Sequence, residues 1–268
     1  MLDRIILSDN GTLTDITEAT HTYSTTGTAH SFVAAEDALY IGSRFPMSEK
    51  FFKTSGGLGS ITVKYWDGTQ FSEVINLRDG TLGWSQDGYI KIVPDRDNGW
   101  TKADTADITE LTGVTVYDQY WMEITVNTDA PIDLAWVGDL FCQDADIGAE
   151  YPDLIRSTVL DGFTSGKVDW EEQRAVATQF MVEDMIGRAV IKSSNQLFEV
   201  ERFRRTCVSR VAQIIFSAFG SDYEDDRLKA QKNYSDRFNK LHVLRDENSD
   251  GLEQEKEAKR TKEIFLHG

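Results

Sequence analysis

The chain has 268 residues, 40% hydrophobic and 11% aromatic, which is enough to fill real cores and excludes wholesale disorder. Its 45 acidic and 28 basic residues leave a net charge of −17, and residues 1–150 (24 acidic, 9 basic) hold −15 of it. Such a field repels a phosphate backbone and excludes sequence-specific nucleic-acid binding by that half, and no uncharged apolar stretch approaches the ~20 residues a membrane-spanning helix needs.

The opening residues 1–7, Met-Leu-Asp-Arg-Ile-Ile-Leu, lack the basic start, apolar run and cleavage site of a secretory signal, so the expectation is synthesis and folding in a cytoplasm. Residues 37–43, 50–53, 60–66, 112–117 and 120–126 read as strands; in 60–66 and 120–126 large apolar residues alternate with polar ones, the period of a half-buried strand. Asp67-Gly68, Asp79-Gly80 and Asp87-Gly88 are turn signals of the kind that supply positive φ in hairpins. Strands at this spacing indicate two packed antiparallel sheets, a jelly-roll-like sandwich over residues 1–145. The loop around Gly56, Gly57 and Gly59 lacks the Lys-Ser/Thr pair of a phosphate-binding loop. Asp67, Asp79, Asp87, Asp95 and Asp97 stand in turn contexts, where Asp bonds its local backbone, and are read as turn formers rather than as an acid/base pair for glycoside hydrolysis.

Tyr65, Trp66, Phe71, Trp84, Tyr89, Trp100, Tyr120 and Trp121 are core and interface anchors on this reading. Adjacent pairs such as Tyr65-Trp66 and Tyr120-Trp121 must point to opposite faces, so one of each leaves the core and is expected under a neighbouring subunit. The alternative is a carbohydrate platform with Trp84 and Trp100 as stacking residues. The order of residues 37–42, Tyr65-Trp66-Asp67-Gly68, Asp79-Gly80-Thr81, Gly83-Trp84, residues 88–92, Trp100 and residues 120–126 resembles a β-sandwich module that recurs in structural proteins of tailed bacteriophages. The resemblance spans about residues 30–137.

Residues 142–150 are small, acidic and unpatterned, as in a linker. After Pro152 the spacing turns helical: Leu154, Ile155, Val159 and Phe163 share one face. A second helix opens at Asp169-Trp170-Glu171-Glu172 and continues through Val176, Phe180, Val182, Met185 and Ile186. A third runs from about Glu199 to Gly220, and a fourth spans residues 221–244. Four such segments pack as a small bundle over residues 151–245. Cys142 and Cys207, 65 positions apart in apolar contexts, are expected as buried free thiols, with a disulfide as the alternative. Four histidines without CxxC or HxxxH spacing supply no zinc site.

The layout of about residues 151–250 is similar to the head-to-tail connector, or adaptor, proteins of tailed phages. That resemblance implies a structural virion protein and no enzyme, with a carbohydrate-binding or other structural module of a tail or baseplate as the alternative. Its copies would form a ring, of twelve by the family's pattern, beneath the portal protein and above a tail-side neck or tail-terminator protein. DNA would pass through the channel without sequence-specific contact, and no membrane is involved. The place implied is the virion neck, after assembly in the host cytoplasm. The run Glu201-Arg202-Phe203-Arg204-Arg205 is read as a solvated or intersubunit salt-bridged face rather than a DNA contact.

Asp246, Asn248, Asp250, Gly251 and Glu257 satisfy the D-x-[DN]-x-[DN]-G-x5-E calcium pattern, which sets oxygens around a hard cation. A flexible polar turn explains the same residues, because Glu253 stands where paired loops carry an apolar residue and no second loop exists. Residues 246–268 then form an extended C-terminal arm. Its tip, Ile264, Phe265 and Leu266, suits a segment that orders on docking to the portal or to an adjacent copy. The fold expected is α+β: sandwich, helical bundle, arm.

Overall fold

A computed structural model describes residues 3–34, 36–57, 59–93, 99–247, 249 and 258–260. The first elements in chain order are β1 (Arg4–Asp9), β2 (Thr12–Asp15), α1 (Thr17–His21), β3 (Thr28–Phe32), β4 (Ala38–Ser43), β5 (Glu49–Ser55) and β6 (Ile61–Trp66). There follow β7 (Phe71–Glu73), β8 (Asn76–Asp79), β9 (Gly88–Val93), β10 (Lys102–Ala103), β11 (Gln119–Val126) and β12 (Ala130–Gly138). The helices α2 (Asp144–Glu150), α3 (Ser157–Phe163), α4 (Glu171–Gly187), α5 (Arg204–Phe219) and α6 (Glu224–Phe238) come next, then β13 (His242–Leu244) and β14 (Ala258–Arg260). The protein is thus antiparallel α+β with its longer helices after the large sheets. It divides into two compact units, one of residues 1–138 with 246–253 and one of residues 139–245 with 254–268.

The first unit holds two sheets. One has the order β2-β1-β4-β11-β6-β7 with β10 on β11, and the other β3-β12-β5-β9-β8; every pairing is antiparallel. β11 is central, with Met122 opposite both Ile41 and Tyr65, and Ile124 opposite both Leu39 and Val63. These side chains meet Phe52, Ile90, Ile92, Ile132 and Val137 of the other sheet in one apolar cluster. Burial of that shared face is the main stabilising term for the pair of sheets.

The opposite face of the first sheet is buried as well. Ile6, Tyr40, Trp66 and Trp121 pack against Ala103 of β10 and against Ile108 and Leu111 of the connection between β10 and β11. Trp121 Nε1 donates to the Ala103 carbonyl at 3.3 Å. Tyr65 and Trp66 do point to opposite faces, but Trp66 is covered by its own chain. Residues 112–117, expected as a strand, belong to that covering connection, where Thr105 Oγ1 links it to the backbone of Val114 and Val116.

Of the three Asp-Gly signals, only Gly68 has positive φ, at 104°, in the β6–β7 hairpin. The other two bracket a single long loop between β8 and β9. There the left-handed residues are Leu82, Gly83 and Trp84, at φ 51°, 69° and 69°. A further hairpin, outside the expected turns, joins β1 to β2 through Asn10-Gly11, both at positive φ.

In the second unit residues 142–150 are not a linker. Gln143 and Asp146 form a capping box, and α2 begins at once. α4 opens where Asp169 Oδ1 accepts from the Glu171 amide at 3.0 Å, and α5 ends at Gly220, φ 82°. α5 packs against α2, α4 and α6. The core takes Ala177, Met181 and Met185 from α4, Cys207, Val208, Val211, Ala212 and Ile215 from α5, and Ala230, Tyr234 and Phe238 from α6. Phe180 and Ile186, expected on the inner face of α4, are exposed. Arg237 on α6 joins three helices: its guanidinium pairs with Glu150 of α2 and donates to the Arg205 carbonyl (2.8 Å) and Ser209 Oγ (2.9 Å) of α5. Beyond α6, β13 pairs with β14, an element absent from the helical reading.

Candidate functional site

The turn carboxylates are the first candidates for acid–base chemistry, and the backbone has claimed them. Asp67 Oδ1 accepts from the Thr69 amide (2.8 Å), Thr69 Oγ1 (2.8 Å) and the Gln70 amide (2.9 Å), and Oδ2 from Ser72 Oγ (2.6 Å). The Ser72 bond, joined by the backbone and Thr69 bonds, holds its carboxyl down to about 2. Asp79 accepts from Thr81 N (2.8 Å), Thr81 Oγ1 (2.5 Å) and Gly83 N (2.7 Å), and Asp87 from Thr54 N (2.7 Å) and Lys53 Nζ (3.1 Å). Asp67, held down in this way, stays an anion near neutrality and is a poor proton carrier. Asp95 and Asp97 lie outside the described residues.

The aromatic platform is not assembled. Trp84 and Trp100, its proposed stacking residues, are 1% and 6% exposed. Trp84 meets Phe52 edge-on at 5.1 Å, and Trp100 stacks on Tyr65 at 5.7 Å. Tyr65, Trp66, Tyr120 and Trp121 are buried too, so these indoles and phenols are core anchors. Tyr117 is the large aromatic of this unit that faces solvent, beside a groove of about 980 Å³ lined in part by Arg4, Arg44, Lys102, Glu18 and Asp118. Arg4 pairs with Asp15 at 2.9 Å and Lys102 with Asp118 at 3.1 Å, so its rim carries both signs.

A cluster without a sequence signal brings Asp9, His30 and Asp37 together, one ligand atom of each lying within 4.8 Å of the others. An imidazole and two carboxylates are a donor set that could hold a divalent cation. Asp37, 1% exposed, already accepts from the amides of Asn10 and Val33, each at 2.8 Å, and lies 3.3 Å from His30 Nε2. Its evident work is to clasp the Asn10-Gly11 turn to the start of the β3–β4 connection.

Of the calcium-loop residues, Asp246 is buried; Asn248, Asp250 and Glu257 lie outside the described residues, as do Ile264, Phe265 and Leu266 of the arm. Ser249, at φ 59°, offers its carbonyl to Tyr120 Oη at 3.1 Å. In the basic run, Arg202 pairs with Glu199, Arg204 with Asp146 at 3.4 Å, and Phe203 is buried. Its salt bridges are therefore made within the chain.

Cys142 and Cys207 are free and buried, as expected of thiols, and adjoin one another. No helix among the described residues is long and apolar enough to cross a membrane.

These observations define an antiparallel α+β protein whose conspicuous polar groups serve its own turns and helix ends. No protein-family model, curated protein or solved structure significantly matches this chain.

Proposed function

We propose that the chain is a structural subunit of a tailed-phage virion, an adaptor that forms a ring between the portal and the neck or tail. The observation that carries this reading is the strand order. With β3, β4, β5, β6, β7, β9, β11 and β12 taken in chain order, the sheets β3-β12-β5-β9 and β4-β11-β6-β7 interleave in the manner of a jelly roll. That architecture is common in viral capsid proteins and in lectins. The inward aromatics count against the lectin branch, and the phage-like order of short motifs along residues 30–137 favours the virion branch.

On this reading the first unit is a jelly-roll-like sandwich, the helices after Asp139 are the adaptor part, and the role is positioning rather than catalysis. A closed ring needs heterologous contacts, so each copy presents two different faces to its neighbours. Twelve copies, docked on portal protein, would continue the channel for DNA without reading its sequence. The −15 charge on residues 1–150 keeps unassembled copies apart and gives sliding DNA little to adhere to. Native mass spectrometry of the full chain, alone and with the portal protein of the same phage, tests this. A defined ring or a stoichiometric portal complex is expected; a monomer indifferent to portal rejects the adaptor reading.

A further inference from the structure

Cys142 lies in the extended segment ahead of α2, and Cys207 lies in the first turn of α5. Their Sγ atoms are 3.0 Å apart, about 1 Å beyond the ~2.04 Å of a disulfide. Groups from separate elements hold both in place. Thr178 Oγ1 of α4 lies 3.7 Å from Cys207 Sγ and accepts from the Phe141 amide at 3.1 Å. Arg174 Nη1 donates to the Cys142 carbonyl at 3.3 Å while Nε pairs with Asp144 at 3.2 Å. The two sulfurs are therefore fixed by a hydrogen-bonded frame and are not brought together by a loose rotamer.

We propose that Cys142 and Cys207 form a redox modification site, an intramolecular disulfide that hydrogen peroxide generates without repacking the helical core. Cys142 is the more exposed of the two residues, 3% against 0% for Cys207, and is taken as the sulfur that peroxide meets first. Its thiolate attacks one peroxide oxygen, the O–O bond breaks, the departing hydroxide takes a proton as water, and Cys142 becomes a sulfenic acid. The Cys207 sulfur then attacks that of Cys142, the S–O bond breaks, and a second water leaves with the Cys207 proton. One peroxide is reduced to two waters while two thiols are oxidised to one disulfide.

The hydrogen bond to Cys207 and burial push the Cys142 thiol well above its ordinary range, so thiolate is scarce. The pair accordingly stays reduced in a reducing compartment and cross-links under sustained oxidant. The bond ties the segment before α2 to α5 inside one unit and does not depend on the function proposed above.

The test exposes the native full-length protein to hydrogen peroxide, then denatures, alkylates and weighs it. Alkylatable thiols are expected to fall from two per chain to none, with a mass lower by two hydrogens. Proteolysis should yield one peptide pair joined through Cys142 and Cys207, the chain should run as a monomer on a non-reducing denaturing gel, and dithiothreitol should reverse the change. The thermal midpoint should rise by several degrees in the wild type and stay put in Cys142→Ser after the same exposure. Added oxygen without a linked pair, a cross-link between chains, or thiols still alkylatable after an exposure that cross-links the urea-unfolded chain would each overturn the proposal.

Discussion

Asp67 carries four hydrogen bonds on one carboxylate, and its titration measures what the β6–β7 turn is worth. Its folded pKa is lowered from 3.8 to about 2, first by Ser72. The stabilisation is therefore fully present above the unfolded value and is lost as pH falls through the folded one. Denaturant midpoints taken from about pH 5 down to about pH 2 should fall more steeply in the wild type than in Asp67→Asn, which starts lower at neutral pH; parallel curves would refute the assignment. Leu82 tests the neighbouring loop. It is exposed, and its φ of 51° is costly for a γ-branched side chain, whereas Asn tolerates it. Leu82→Asn should raise stability by about 0.5–1 kcal/mol, and Leu82→Val should lower it. That strain had no sequence signal, because the Asp-Gly pairs on either side drew the turn to themselves. The positive φ falls instead on residues whose place is fixed by the Asp79 carboxylate and by Trp84 entering the core.

Among the elements, the β1–β2 hairpin offers the cleanest conformational test. A Cβ on Gly11 would meet nothing within 4 Å, yet φ is 77°. Gly11→Ala should therefore cost about 1–2 kcal/mol by backbone strain alone, and a neutral substitution would mean the turn is of another type. Asn10-Gly11 is absent from the sequence expectations, although Ile5, Ile6, Leu7 and Leu13 flank it. The strands β4, β6 and β11 were legible, β6 and β11 because large apolar residues alternate with polar ones, and β4 as a short apolar run.

The facing of α4 was not legible. Large apolar residues suggested Phe180 and Ile186, but the buried stripe runs through Ala177, Thr178, Met181 and Met185, where small side chains let α5 approach. Phe180 lies instead under the Arg210 guanidinium, 4.8 Å from its ring centre. Met181→Ala should cost about 2–5 kcal/mol and Phe180→Ala about 1 kcal/mol or less, by urea denaturation; the reverse order would mean the helix is turned.

For the whole molecule, the charge asymmetry and the change of period after the last long strand were visible in composition and spacing. The covering of Trp66 and Trp121 by residues 103–116 was not, because it joins segments that only the tertiary fold brings together, and the meeting of Cys142 with Cys207 stood only as the disulfide alternative. A disulfide closing a loop of about 65 residues should add about 4 kcal/mol in the chain-entropy view, a sizeable fraction of the ~5–15 kcal/mol by which domains are stable. Deleting residues 264–268 should abolish docking to portal protein while leaving circular dichroism and melting unchanged. A truncated chain that still docks would show that Ile264, Phe265 and Leu266 are not the contact.

Asp246 and Ser249 rejoin the unit that the chain left at Gly138. Translation therefore delivers both sheets of the first unit, then the five helices from α2 to α6, and only afterwards the Ser249 carbonyl that accepts from Tyr120 Oη. A nascent chain paused at residue 240 carries an N-terminal unit that can collapse before Asp246 and Ser249 join it. The order in which the ribosome works thus makes completion of the first unit wait on synthesis of the second.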